Sequence, residues 1–556
     1  MRTYTNLIKN HIEHGPQESI IQYLDAYQKK QSDELAYLIG VCYAQLSKHD
    51  KALEYFNNIT DISHQVLTAQ ANAYLSLNQI DNAKCALDQS LQKQANNPNA
   101  YATYGRLHMT CKAYDQAVTY LSQAIELDPK VADYHYNLGL AFQRQYKIDM
   151  AAAAFAQAVA LEPTHYHAWR LYALCHEIKT SYASALDAYK KSWSISEHPD
   201  TAHGLGRTHS ALSDYDEALL YFNRAITLGE TSLECHHNLA SIYHIKGLDK
   251  QALIHWHYCL ERHNTFEYRY NIACAYQNTQ NYDQAKCYFD SCLKEKPGHI
   301  DSLLNLAAIA LDEHQKERAT QLYKQILDID PNCTDAKFIY TALTGQSNVS
   351  DKAPTSYIKS LFNQYAGHYD KHLKSVLHYQ LPAAIDELII RLNLSGTDTC
   401  LDLGCGTGLI GEVLKPYVGT LIGIDLSDDM LQAARNKNIY SKLIACDILE
   451  TPDDICADLI IAADVLPYFG NVESLFAVID DRLSADGVTI FSFEHSDSHP
   501  YALHQDVRFA HSQSYIESCI KACGWDLIEI SAINLRKQQG KAVNGYLVAC
   551  RASIST

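Results

Sequence analysis

Two fold classes in series are expected for this 556-residue chain: an all-α solenoid of repeated helix pairs, then an α/β domain on a mostly parallel sheet. Three observations predict them. A pattern of small and large apolar residues recurs with a period near 34 through the first two thirds of the sequence. After residue 396, four short β-like runs each end on an aspartate, at Asp402, Asp425, Asp447 and Asp464. Directly after the first of these, glycines stand at alternate positions, Gly404, Gly406 and Gly408.

The small residue of each repeat is Gly40, Ala71, Gly105, Gly139, Ala173, Gly206, Ala240, Ala273 or Ala307, at spacings of 31 to 34 residues. Twelve positions on stands an alanine, from Ala52 to Ala319, and four after that a large side chain, from Phe56 to Tyr323. A small residue on one helix lets a second approach closely, and the large residue fills the space between them. Pro129, Pro163, Pro297 and Pro331 then stop the second helix, because proline cannot continue its hydrogen-bond ladder. The pattern resembles the tetratricopeptide repeat, with about nine units. Residues 1–32 are expected to form N-terminal capping helices, and Thr334–Leu343 a terminal one that covers the apolar face of the last repeat. The solenoid then spans 33–343, the polar run 344–354 reads as a linker, and the α/β domain occupies 355–556.

In that domain, Ser356–Leu373 places Ile358, Phe362, Tyr365, Tyr369 and Leu373 on one helical face. The first strand follows, then the loop Asp402-Leu403-Gly404-Cys405-Gly406-Thr407-Gly408 and a helix-like run from Leu409. Glycine lets the backbone turn sharply and approach a ligand, and a helix N-terminus offers free N–H groups to an anionic end. Two cofactors compete for this loop. Gly406-Thr407-Gly408-Leu409-Ile410-Gly411 fits G-x-G-x-x-G, with Asp425 near the spacing of a nicotinamide dinucleotide's ribose acid. The longer pattern D-x-G-x-G-x-G, with an acid at the end of all four strands, instead resembles the class I S-adenosylmethionine-dependent methyltransferases. The ending agrees with that resemblance. Trp525–Ser531 and Val543–Cys550 are joined by too few residues for a crossover helix and should pair antiparallel.

The resemblance implies a Rossmann-like, seven-stranded sheet with one antiparallel strand, and S-adenosyl-L-methionine as cofactor. Gly404, Cys405, Gly406 and Gly408 would supply backbone to its methionine end, with Asp402 near the ammonium. Asp425 would take the ribose hydroxyls and Asp447 the adenine amine, with Ile448 on the ring. Asp464 would be the fourth-motif residue at the cofactor. Ser356–Leu373 resembles a lid helix of small-molecule methyltransferases, which would put Tyr365, Tyr369 and Asp370 at the site, Tyr365 in catalysis and Tyr369 on the substrate. Arg508-Phe509-Ala510-His511-Ser512 resembles a signature of a bacterial family in which such repeats precede a methyltransferase domain. Arg508 would hold an acceptor carboxylate and His511 would be a base. The bland alternative is that His511-Ser512 starts and caps the helix running to Ala522. Asp464-Val465-Leu466-Pro467-Tyr468-Phe469 lacks the N/D-P-P-Y of amide and exocyclic-amine methylation, and no Pro-Cys follows strand four. The acceptor left is a small molecule, a carrier-bound group or a protein side chain.

Composition narrows the partners. With 46 basic and 64 acidic residues, net −18, the chain lacks the basic footprint of a nucleic-acid or anionic-membrane binder. Its 17 cysteines form no CxxC pair or zinc-spaced cluster, so no metal is expected and a reducing cytoplasmic setting is. No apolar run is long enough to span a membrane, and Met1–Tyr27 lacks a signal-peptide core. The expected function is a methyltransferase whose solenoid recruits a protein on its concave face, where Tyr37, Tyr101, Asn137 and Asn305 are candidates. The alternative, of another class, is an interaction scaffold whose methyltransferase-like domain senses the cofactor or is inert.

Overall fold

The computed structural model describes residues 23–24, 32–346, 350–365, 379–394, 396–498, 500–538 and 541–552. They fall into two compact units, Met1–Thr279 and Gln280–Thr556.

The first unit is a run of helix pairs, from Asp33–Gln45 with His49–Asn57 to Leu233–Ile245 with Asp249–Arg262, followed by Phe266–Asn278. Most of the expected N-terminal cap, 1–32, lies outside the described residues; helical Tyr23 is fully buried beside Leu35 and Ile39. The alternation of small and large residues is realised as close packing. The nine alanines from Ala52 to Ala319 are all 0% exposed, and their large partners no more than 3%. A Cβ added at Gly40, Gly105, Gly139 or Gly206 would lie 2.4–2.7 Å from the ring or branch of Phe56, Leu121, Phe155 or Phe222. The helices ending at Leu127, Leu161, Glu295 and Ile329 each stop two residues before a proline.

Gly139→Val therefore forces Phe155 aside, and overpacking of this kind costs about 1–3 kcal/mol. The helical signal should melt at lower temperature or denaturant. At Gly298 an added Cβ meets nothing within 4 Å, so Gly298→Ala is the matched change expected to leave the melt almost unmoved. Equal effects of the two would contradict the packing account.

The turns carry a regularity the sequence does not advertise. Ser47, Asn78, Lys112, Tyr146, Thr180, Ser213, Gln280 and His314 all have φ of 57–60°, and Gly247 has 69°. A left-handed residue lies between the two helices of every repeat, yet only one of the nine is glycine.

The second unit holds the helices Tyr282–Glu295, Ile300–Asp312, Lys316–Ile329 and Thr334–Thr344, then the α/β domain. Its strands are β1 (Thr397–Leu403), β2 (Val418–Asp425), β3 (Lys442–Ala445), β4 (Ala457–Ala462), β5 (Leu483–Glu494), β6 (Tyr501–Leu503), β7 (Phe509–His511), β8 (Asp526–Gln538) and β9 (Lys541–Arg551). Seven of them form one sheet in the order β3-β2-β1-β4-β5-β9-β8, and β6 pairs with β7 apart from it. Neighbours from β3 to β5 are parallel, while β9 is antiparallel to both β5 and β8. The order reverses between β1 and β4, where an open α/β sheet leaves a crevice at its strand ends. The register brings Asp402 level with Gly423 and Ile461, so the four terminal acids gather along that crevice. Helix Leu381–Arg391 closes one face by burying Leu381, Ile385, Leu388 and Ile389 with Cys400, Leu421, Leu459 and Ile490.

The segment expected as a loose linker is partly built into this unit. Helix Thr334–Thr344 ends on Gly345 at φ 67°, and 347–349 lie outside the described residues. Beyond them Lys352 bridges Phe469 in antiparallel fashion and the Ala353 N–H donates to the Tyr468 carbonyl at 2.9 Å. The capping helix does more than close the repeats. Phe338 is 4% exposed, with its ring 5.6 Å from Tyr357 and 5.8 Å from Phe509, and Asp335 accepts from the Ser356 hydroxyl at 2.6 Å. Among the described residues, no helix is long and apolar enough to cross a membrane.

Candidate active site

A cleft of about 850 Å³, counting space open to solvent, lies over the ends of β1, β2 and β4. Residues 404–407 form its floor. Gly404, Gly406 and Gly408 have φ of 69°, 53° and 86°, which side-chain-bearing residues rarely adopt. The Cys405 N–H donates to Ile424 O at 2.9 Å, the Gly408 N–H to Cys405 O at 2.9 Å and the Gly406 N–H to Asp425 Oδ2 at 2.8 Å. At Gly404 a Cβ would lie 2.7 Å from Val465, whereas at Gly406 it would meet nothing within 4 Å. Space is therefore kept open over Gly406. Gly404, Cys405, Gly406, Asp425, Asp447, Ile448 and Asp464 all line the cleft.

Asp402 and Gly408 do not line it. Asp402 is 1% exposed beneath the loop and accepts from the Tyr440 hydroxyl at 2.7 Å. Gly408 makes room for the same ring, as do Gly411 and Gly423, whose added Cβ atoms would stand 2.3–3.0 Å from Tyr440. Tyr440 is thus a keystone of the site that sequence reasoning missed. Its signal was present as three glycines in otherwise core positions.

Two acids at the floor are under electrostatic stress. Burial pushes Asp402 up to about 7; the Tyr440 hydrogen bond opposes the shift and the Asp425 charge adds to it. Burial also pushes Asp425 upward, against N–H groups of Ser427, Gly406 and Leu426. Among the described residues, neither has a cationic partner in an ion pair. A ligand that brings positive charge and hydroxyl groups into the cleft would reach Asp425 directly and Asp402 only through the loop above it.

The consequence for pH has a definite sign. An unfolded aspartate titrates near 3.8, so between about 4 and 7 folded Asp402 retains a proton that the unfolded chain has lost. Stability from this group falls as pH rises through that window, by on the order of 4 kcal/mol at most, and is flat above it. Asp402→Asn lacks the decline. Thermal scans without ligand should show the variant gaining on the wild type from pH 4.5 to 7.5; a pH-independent difference would contradict the buried-acid account.

Asp447 is held differently. Its Oδ2 accepts from Lys352 Nζ at 2.6 Å and Thr355 Oγ1 at 3.1 Å, and its Oδ1 from the Leu449 N–H at 3.1 Å. Burial alone would raise its pKa, but the Lys352 ammonium leads the interactions that leave it below the usual carboxylate range.

Asp464 stands just past β4 with φ 59° and belongs to a buried charge cluster. Arg508 donates through Nη2 to Asp464 Oδ1 at 2.6 Å, through Nε to Glu494 Oε1 at 2.6 Å and through Nη1 to the Tyr468 hydroxyl at 3.0 Å. Arg536 donates to the same Glu494 oxygen at 2.8 Å and lies 3.6 Å from Asp464. Burial would raise Glu494, but the two arginines hold it below its usual value. The expected role of Arg508 as a clamp for an acceptor carboxylate is therefore corrected: its guanidinium is committed to two internal carboxylates and a phenol.

His511 also takes a structural place rather than the expected catalytic one. It is 0% exposed, with Nε2 2.9 and 3.1 Å from the carbonyls of Phe469 and Gly470. Burial pushes it down to about 4, so it is neutral and Nε2 carries the donating proton. Its other nitrogen is buried, and the residue does not line the cleft. The alternative reading of Ser512 holds, since its hydroxyl caps the helix Gln513–Ala522 by accepting from Tyr515 N.

The wall above the floor comes from the helix Thr355–Tyr365 and the turn after β4. Ile358 and Phe362 line the cleft, and the Phe362 ring meets Tyr468 edge-on at 5.5 Å. Asn363 accepts from the Ser427 hydroxyl at 2.6 Å, and Lys359 pairs with Asp428 at 3.0 Å, seating the helix over β2. The Tyr365 side chain, Tyr369 and Asp370 lie outside the described residues. In the first unit, Tyr37, Asn72, Arg106 and Asn137, from the first helices of four successive repeats, line a polar groove of about 1140 Å³. Of the other two inner-face candidates, Tyr101 stacks on Tyr120 at 6.4 Å and Asn305 donates to its own helix at Asp301 O.

Comparison with known proteins finds both kinds of sequence in the chain. Residues 401–491 match a family model described as a methyltransferase domain. Residues 33–63, 105–145, 136–193, 199–229 and 279–343 match tetratricopeptide repeat models. An uncharacterized methyltransferase of Schizosaccharomyces pombe is 38% identical over 12% of this chain and 25% of its own length. A trans-aconitate 2-methyltransferase of Delftia acidovorans is 33% identical over 23% of this chain and 48% of its own. BBSome complex member BBS4 of Bos taurus is 23% identical over 71% of this chain and 72% of its own. The chain thus spans between a quarter and a half of the two curated methyltransferases.

Proposed function

We propose that this chain, which carries a methyltransferase domain behind tetratricopeptide repeats, binds S-adenosyl-L-methionine in the cleft over β1, β2 and β4 and methylates an acceptor there. The observation that carries this reading is the pair of buried acids, Asp402 and Asp425, without a cationic partner below an open Gly406. The residues fit the cofactor: 404–407 offer backbone and Asp425 two oxygens for hydroxyls. Asp447 suits an amine, and Ile448 and Val465 an aromatic base. When bound, the cofactor supplies a methyl group already activated on a sulfonium.

The chain's own part is positioning. Ile358, Phe362, Tyr379, Tyr468 and Phe469 give an apolar wall that excludes water and orients an acceptor, which is where most of the acceleration of a displacement arises. Asp464, paired with Arg508 at 2.6 Å and 3.6 Å from Arg536, lines the cleft and is the acid placed to accept a hydrogen bond from the acceptor. No histidine lines the cleft among the described residues, so an acceptor that needs no strong base suits it best. The repeats would hold a protein that is, or carries, the acceptor.

Calorimetric titration separates this from a nicotinamide enzyme. S-adenosylhomocysteine should bind and NAD should not; the reverse would overturn the proposal. Recruitment is tested by comparing the full chain with the unit from Gln280 onward. That cut keeps Phe338 on Tyr357 and Phe509, whereas one at Ala353 strips it away. A recruiting array contributes uniform binding, so the shorter chain should show a higher KM for the acceptor at similar kcat. Equal KM values would leave the first unit serving some other partner.

A further inference from the structure

The segment between the last repeat and the α/β domain reaches the base-binding end of the cleft. Asp351 O accepts from Gly470 N at 2.7 Å and Asn471 N at 3.0 Å, and its side chain accepts from the Tyr501 hydroxyl at 2.8 Å. Lys352 bridges Phe469, and Ala353, 1% exposed, bonds to Tyr468. With the backbone fixed at three consecutive residues, the Lys352 ammonium is delivered to Asp447 at 2.6 Å, 5.4 Å from the centre of the Phe469 ring. Both side chains are mostly buried, at 24% and 16% exposure, so the pair is little screened.

The hydrogen bonds around Asp447 decide what it can read. Oδ2 is taken by Lys352 and Thr355. Oδ1 accepts one backbone N–H and keeps capacity for one more donor. An ionised carboxylate can only accept, so a nucleoside presenting an amine satisfies it, and one presenting a carbonyl faces it with two acceptors. Without Lys352 the carboxyl loses its fixed orientation, Oδ1 is no longer held toward the base, and the discrimination falls.

We infer that Lys352 is a specificity-determining residue: it holds Asp447 as an accept-only reader of the base's amino group. Cofactor affinity thereby depends on how the 351–355 strap is seated behind the last repeat helix. This rests on the cofactor reading above.

The test measures affinities of the full-length chain for S-adenosylhomocysteine and for S-inosylhomocysteine, whose base bears a carbonyl oxygen in place of the amine. The wild type should favour the adenine form by at least about tenfold. Lys352→Met should bring the ratio close to one, chiefly by weakening the adenine form, while Lys352→Arg restores it. Thr355→Val removes the second donor to Oδ2 without touching the charge and should erode the ratio partially, which keeps the test decisive if Lys352→Met folds poorly. A Lys352→Met chain that discriminates like the wild type overturns the inference, as does a wild type with no preference. A wild type that binds neither compound overturns the cofactor reading itself, a result distinct from both.

Discussion

Arg508→Met is expected to destabilise the α/β domain by about 3–5 kcal/mol, because removing one partner of a buried ion pair strands the other. Two carboxylates are affected at once. Asp464 and Glu494 would be left with Arg536 alone, and Glu494 is only 4% exposed. The lost hydrogen bonds also free Tyr468, whose ring forms part of the cleft wall, and release the strained turn at Asp464. The readout is the thermal transition that S-adenosylhomocysteine raises. Glu494→Gln added to Arg508→Met removes one stranded charge and should recover part of the loss, a coupling that a double-mutant cycle measures. If Arg508→Met melts with the wild type, the cluster does not hold the site together and the assignment of Arg508 fails.

The contrast with a substrate-binding role is informative about reading motifs. The sequence places arginine and histidine in a short run beside a substrate-side loop, and chemistry is the natural reading. Structure spends both on architecture, Arg508 as counter-ion to two strand-end acids and His511 as a neutral donor to the carbonyls of Phe469 and Gly470. Nothing in a local motif says how deeply its residues are buried. That depends on β7 lying under Phe338, far away in the chain, and against Tyr501 of the neighbouring β6.

What was legible follows from periodicity and from strand ends. The spacing from alanine to large side chain reports helix packing directly, since the same buried pair recurs nine times. The four acids report the crevice, because parallel strands in register must bring their carboxyl ends together. Tyr440 and Lys352 were missed for opposite reasons. Tyr440 sits between a helix and a short strand, and its meeting with Asp402, 38 residues away, is set by where three glycines leave room. Lys352 lies in a stretch whose serines, glycine and proline spell a linker, and its pairing with Asp447 spans 95 residues. The left-handed repeat turns were hidden because eight of nine use residues other than glycine.

The second large effect is on binding. Asp425→Ala removes the acid at the end of β2 whose two oxygens are already organised by the N–H groups of Gly406 and Ser427, each at 2.8 Å. One or two charge-assisted hydrogen bonds to the ribose would be lost, on the order of 2–4 kcal/mol, or about thirty- to a thousandfold in affinity. The fold should tolerate the change, since burial already raises the pKa of Asp425 and its removal eases the repulsion with Asp402. The released Gly406 N–H would loosen the loop and add to the loss.

Titration of S-adenosylhomocysteine into wild-type and Asp425→Ala chains of matched thermal stability therefore tests the central claim, that the crevice over β1, β2 and β4 is the cofactor site. The account predicts binding by the wild type and a loss of at least thirtyfold in the variant, in line with the estimate above. Unchanged affinity in a folded Asp425→Ala chain would contradict it.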